Sequence, residues 1–138
     1  MDPEPKSPDG VRLAFAHHLA GRQAEAEALC RRVLGQEPRH AGALHLLAVM
    51  AHAQKRLAPA LELVRKAVAA APGAAGYRNT MGIILGDLRQ WDDCLAAFGE
   101  AIRLDAAYFE AHRNLGLALS KAGRLDDAVA PMTRAAEI

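Results

Sequence analysis

An all-α fold, an α-solenoid of stacked helical hairpins with about eight helices, is predicted by three observations. The first is composition. Alanine is abundant along the whole chain while aromatic residues make up only 4%; alanine is the strongest helix former, and sheets draw instead on Val, Ile, Thr and aromatics. The second is a repeat: written in rows that begin at Ser7, Ala41, Ala75 and Phe109, the chain stays in register at a spacing of 34 residues with no insertion. A period of this size marks stacked supersecondary units. The third is a pair of small-residue columns, Ala14, Ala48, Gly82 and Gly116 in the eighth and Ala26, Ala60, Cys94 and Ala128 in the twentieth. Antiparallel helices approach to roughly 8–10 Å only where the crossing side chains are small. Each row therefore reads as a hairpin with one of these columns on each helix.

The elements follow from the N-terminus. Residues 1–6 carry Pro3 and Pro5 and read as an irregular or polyproline tail. Ser7 and Pro8 then supply an N-cap and a first helical residue for a helix over 8–20, which Gly21 ends by accepting a left-handed backbone. A second helix over 23–36 stops before Pro38, which no helix continues through. The next row repeats the plan with helices over 41–53 and 57–71, closed by Pro72. In the third row, helices are expected over 75–87 and 91–104, the latter with Asp92 and Asp93 favourably placed at its positive end. The last row gives 109–121, ended by Gly123, and 125–137, with Asp126 and Asp127 at its start. Larger apolar residues in columns seven (Leu13, Leu47, Met81, Leu115) and twenty-four (Cys30, Val64, Phe98, Met132) are expected to fill the core. The array thus spans 7–138 in repeats 7–40, 41–74, 75–108 and an incomplete 109–138.

These rows resemble the tetratricopeptide repeat, most closely in Asn114-Leu115-Gly116-Leu117-Ala118-Leu119 followed by Gly123-Arg124-Leu125-Asp126-Asp127-Ala128. The resemblance covers nearly the whole chain. It departs from the family in column four, where a usual tryptophan is replaced by Gly10, Leu44, Arg78 and His112. What it implies is a right-handed superhelix whose first helices line a concave groove.

Several functions are excluded or made improbable by the sequence alone. Seventeen basic against sixteen acidic residues leave a net charge of +1, no field for gripping nucleic acid or an anionic membrane. No apolar run is long enough to span a bilayer, and the start lacks the basic stub and apolar stretch of a secretory signal. A cytoplasmic location follows as the expectation, with Cys30 and Cys94 as reduced, buried and inert thiols on core columns. No nucleophile elbow, phosphate loop, HExxH or CxxC is present, so no enzyme activity, catalytic residue or cofactor is expected. His18 and His52 share column twelve, and His45 lies seven residues before His52, on a similar helical face, but their spacing is not a metal-ligand pattern, and they read as polar groove lining. Trp91 reads as core, and the Tyr108–Phe109 pair as packing between repeats.

By the resemblance, columns two, five, nine, twelve and thirteen of the first helices face the groove. The expected peptide-binding residues are Val11, Phe15, His18, His45, Val49, His52, Asn79, Ile83, Arg113 and Leu117. Column nine is apolar in every row: Phe15, Val49, Ile83 and Leu117. The carboxylate clamp of chaperone-binding members is missing, because Val11 and Phe15 stand where its first Lys and Asn belong. The expected function is a non-enzymatic protein-interaction scaffold that holds a peptide or helical segment in an apolar groove. A second expectation comes from the run Gly21-Arg22-Gln23-Ala24-Glu25-Ala26. Similar runs open bacterial chains that carry a glycosyltransferase or sulfotransferase after their repeats, which would make this an accessory domain. Self-association through the row-four end is expected as well, since Leu119, Val129, Met132 and Ile138 have no following helix to cover them.

Overall fold

Every regular element among the described residues, 7–123, is helical in the computed structural model. The order is α1 (Ser7–Leu19), α2 (Gln23–Gln36), α3 (Ala41–Ala53), α4 (Leu57–Ala70), α5 (Ala75–Asp87), α6 (Trp91–Leu104) and α7 (Phe109–Lys121). These bounds agree with the sequence expectations to within one residue. The tail 1–6 and the eighth helix expected over 125–137 lie outside the described residues, as do Val129, Met132 and Ile138. The chain divides after Ala71 into two compact units.

The first unit holds the hairpins α1–α2 and α3–α4. Ala14, Ala26, Ala48 and Ala60 are all fully buried, as the two small columns require. Around Ala14 and Ala26 lie Cys30, Val33, Ala43, Leu46, Leu47 and Met50. Gly10 explains the missing tryptophan of column four: a Cβ there would sit 2.8 Å from Cγ2 of Val33. In the second row the same column holds a buried leucine, Leu44. His40 precedes α3 as its N-cap, its Nδ1 accepting from the Ala43 N–H at 3.2 Å.

Within the second unit, α5 pairs with α6, and α7 follows. Ile84, Leu85, Cys94, Phe98, Ala101 and Ala111 are buried there. Column four now holds His112, also buried, and its Nε2–H donates to the Ala106 carbonyl at 2.8 Å. The imidazole thus satisfies its polar edge inside the unit, as a buried polar group must. Leu119 departs from expectation. It is buried, because it continues the stripe of His112 and Gly116 along the packed side of α7, so it is no part of an open end face. Phe109 departs the other way and is 44% exposed instead of packed between repeats.

One turn recurs with the repeat. Gly21 and Gly123 adopt φ of +80° and +82°, as their residue type predicts, and Lys55 and Arg89 in the same column adopt 61° and 59°. At Gly21, Lys55 and Arg89, two backbone bonds close the helix. The N–H groups of Gly21 and Arg22 donate to His18 and His17, those of Lys55 and Arg56 to His52 and Ala51, and those of Arg89 and Gln90 to Gly86 and Leu85. This is the Schellman closure, which satisfies carbonyls left open at a helix end.

Candidate functional site

Two grooves carry the sequence-predicted residues, one in each unit. In the first unit, α1 and α3 enclose a groove of about 320 Å³ lined by Val11, Arg12, Phe15, Gly42, His45, Leu46 and Val49. Four of these, Val11, Phe15, His45 and Val49, belong to the set expected from the sequence. Their helices bring them together because columns five and nine lie four residues apart, one helical turn along a single face. Gly42 keeps the floor low, since a Cβ on it would lie 3.2 Å from the His40 ring and 3.6 Å from Val11. Phe15 remains 51% exposed beside the opening.

The electrostatics of this groove are simple. Burial pushes His45 below its ordinary 6.5, so at neutral pH the imidazole carries no charge, and among the described residues Arg12 is the one charged lining residue. His18 stands with its ring centroid 6.4 Å from that of Phe15, its Nδ1 sharing a hydrogen bond with Gln23 Oε1 at 3.2 Å. His52 is half-buried on α3 and has an interaction of its own. His18 and His52 do not line the groove. Among the described residues no group of three His, Cys, Asp or Glu side chains is placed to hold a metal ion.

The second unit has a larger groove, about 580 Å³, walled by α5, α6 and α7. Of the sequence-predicted set, Ile83 and Leu117 are among its lining residues. With them are Gly82, Gly86, Asp87, Arg89, Trp91, Cys94, Phe98, Asn114, Ala118 and Lys121. Asn79 is not at the surface. It is 4% exposed, and its Oδ1 accepts from Asn114 Nδ2 at 3.1 Å, tying α5 to α7 behind the groove. Arg113 is exposed on α7 and lies apart from these walls.

Sequence reasoning missed the part that α6 and the α5–α6 link contribute. Trp91 and Phe98 were expected as core; both also form wall, because the glycines of α5 let them reach it. A Cβ on Gly82 would lie 2.5 Å from the Phe98 ring, and one on Gly86 would lie 3.3 Å from Cys94 Sγ and 3.8 Å from Trp91. Arg89 carried no signal beyond sharing a column with Gly21 and Gly123. The thiol of Cys94 is raised to about 11, first by burial and further by the Asp87 carboxylate, while Lys121 opposes the rise. Cys30 is likewise raised to about 11, mainly by burial. Neither is a nucleophile at neutral pH. No helix among the described residues is long and apolar enough to cross a membrane.

Comparison with known proteins agrees with this architecture. Residues 79–138 match the family profile described as tetratricopeptide repeat, and residues 20–101 match one described as anaphase-promoting complex, cyclosome, subunit 3. Among solved structures, a crystal structure of MamA superposes with a TM-score of 0.87 at 19% identity, over 99% of this chain and 79% of that one. MamA 41-end from Desulfovibrio magneticus RS-1 gives 0.85 at 22% identity, over 96% and 75%. At such identities the likeness is one of fold. No curated protein sequence matches the chain.

Proposed function

The chain belongs to the tetratricopeptide repeat family, and from that membership we propose that it is a non-enzymatic interaction scaffold that holds a peptide or helical segment of a partner protein. Repeats of this family generally mediate protein interactions, and the finer reading adds the ligand's chemistry. The observation that supports it is the first-unit groove. Val11, Phe15, His45 and Val49, with Leu46, form a largely apolar trough on α1 and α3. An amphipathic helix or an extended apolar segment gains by burying its own apolar side chains there, at roughly 25 cal/mol per Å² removed from water. A neutral His45 adds a polar edge without the cost of desolvating a charge.

The test is affinity capture by the intact chain, with the captured protein identified by mass spectrometry and its affinity then measured. Val49→Asp places a carboxylate in the trough and should weaken that affinity by about tenfold or more, with the helical circular dichroism unchanged. Ile83→Asp makes the same test in the second unit. Capture that survives both substitutions at full strength would remove the groove from the account and place binding on another face.

A further inference from the structure

The second-unit groove differs from the first in carrying charges of both signs, where the described lining of the first has Arg12 alone. Among the described residues, three ionisable side chains besides Cys94 line it: Asp87 on α5, Arg89 in the α5–α6 link and Lys121 in the last turn of α7. α6 adds none to the lining. Asp87 already has an interaction of its own, whereas Arg89 and Lys121 make no ion pair among the described residues. Asp87, Arg89 and Lys121 are exposed residues that line the groove, and the charges of Asp87 and Lys121 both act on the Cys94 thiol. The same lining includes the apolar side chains of Trp91, Phe98 and Leu117. The volume, about 580 Å³, falls within the range of sites that take one compact ligand group.

We infer that this groove selects a partner segment in which a carboxylate stands beside an aromatic or aliphatic side chain, the carboxylate accepting from Arg89 and Lys121 while the apolar group lies against Trp91, Phe98 and Leu117. The inference rests on the groove reading above and adds the partner's charge. The first unit then grips mainly apolar surface, with Arg12 its one described charged lining residue, and the second reads an acid next to it. Both cations lie at helix ends whose carbonyls are already satisfied: the Arg89 and Gln90 N–H groups close α5, and the Ala122 and Gly123 N–H groups close α7. Neither cation is needed there as a cap, so each keeps its donors for a ligand. The position is also separate from the family's carboxylate clamp, whose columns hold Val11, Phe15, Gly76 and Thr80 here.

The test compares 3-phenylpropionate with its neutral isostere 3-phenylpropanamide, titrated into the isotopically labelled full chain at low ionic strength and followed by nuclear magnetic resonance. Trp91, the chain's single tryptophan, gives an isolated indole N–H reporter in the wall. The acid should shift that signal and the amides around Arg89 and Lys121 with a Kd about fivefold lower than the amide's. In the double variant Arg89→Gly, Lys121→Gln the acid should fall to the affinity of the amide, while the amide is unaffected. Glycine suits the left-handed backbone at position 89, and Lys121 is exposed, so this variant should fold. Equal binding of acid and amide would overturn the charge selection and leave the groove reading standing, as would a preference that persists in the double variant. Failure of both compounds to shift any second-unit signal would overturn both readings for this unit.

Discussion

At Gly82 a single methyl group decides how α5 meets α6. The missing Cβ would lie 2.5, 2.6 and 2.9 Å from three carbons of the Phe98 ring, and Phe98 is only 3% exposed, with no room to retreat. Gly82→Ala should therefore cost about 1–3 kcal/mol by overpacking. Gly99, inside α6, faces open space, so Gly99→Ala should gain about 0.5–1 kcal/mol by helix propensity alone. Urea unfolding of the two variants should give shifts of opposite sign; shifts of the same sign would disprove the packing argument. The small columns made Gly82 legible in the sequence as a crossing residue, though not that an aromatic ring from column twenty-four fills the space. Asn79 was legible only as an inward-facing column. Its burial depends on an amide from Asn114, 35 residues away, and no local pattern announces that pairing.

The turns between paired helices are the element with the most regular geometry. Column fifteen is left-handed in all four rows, with glycine twice, lysine once and arginine once. A non-glycine residue there carries a steric cost that glycine does not. Lys55→Gly and Arg89→Gly should each stabilise the chain by about 0.5–1 kcal/mol, and Gly21→Ala should destabilise it by a similar amount. Thermal melts check this as displacements of a few degrees in opposite directions. Glycine itself signalled the conformation at positions 21 and 123. At Lys55 and Arg89 only the register did, since neither residue type favours positive φ. The element ends, by contrast, were open to sequence reasoning throughout, because Pro38 and Pro72 and the strict spacing fix them independently.

On the scale of the whole molecule each unit buries one thiol, Cys30 in the first and Cys94 in the second, 0% and 1% exposed. Both are raised from 9.0 to about 11 by burial above all. A thiol whose folded pKa lies above its unfolded value contributes stability that is fully present below about pH 9 and is lost as pH rises toward 11, because the unfolded chain ionises first. The effect is on the order of 2–3 kcal/mol for each thiol. Urea midpoints should fall across that window, and Cys94→Ala should flatten part of the fall; a profile unchanged by the substitution would mean that the thiol is open to solvent. The fold at this scale was readable because periodicity is a global property that one sequence displays in full. The charged character of the second groove was not, since it needs three side chains from separate elements. The recurring left-handed turn has a further consequence, for how such a chain tolerates change in length. An α-helix advances about 100° per residue, so one residue added between a crossing residue and its turn swings the exit direction by roughly that angle. The next helix would then leave with its small stripe facing solvent. Lengthening or shortening by whole 34-residue modules leaves every turn in phase, which makes the repeat, and not the residue, the smallest unit by which this chain can grow.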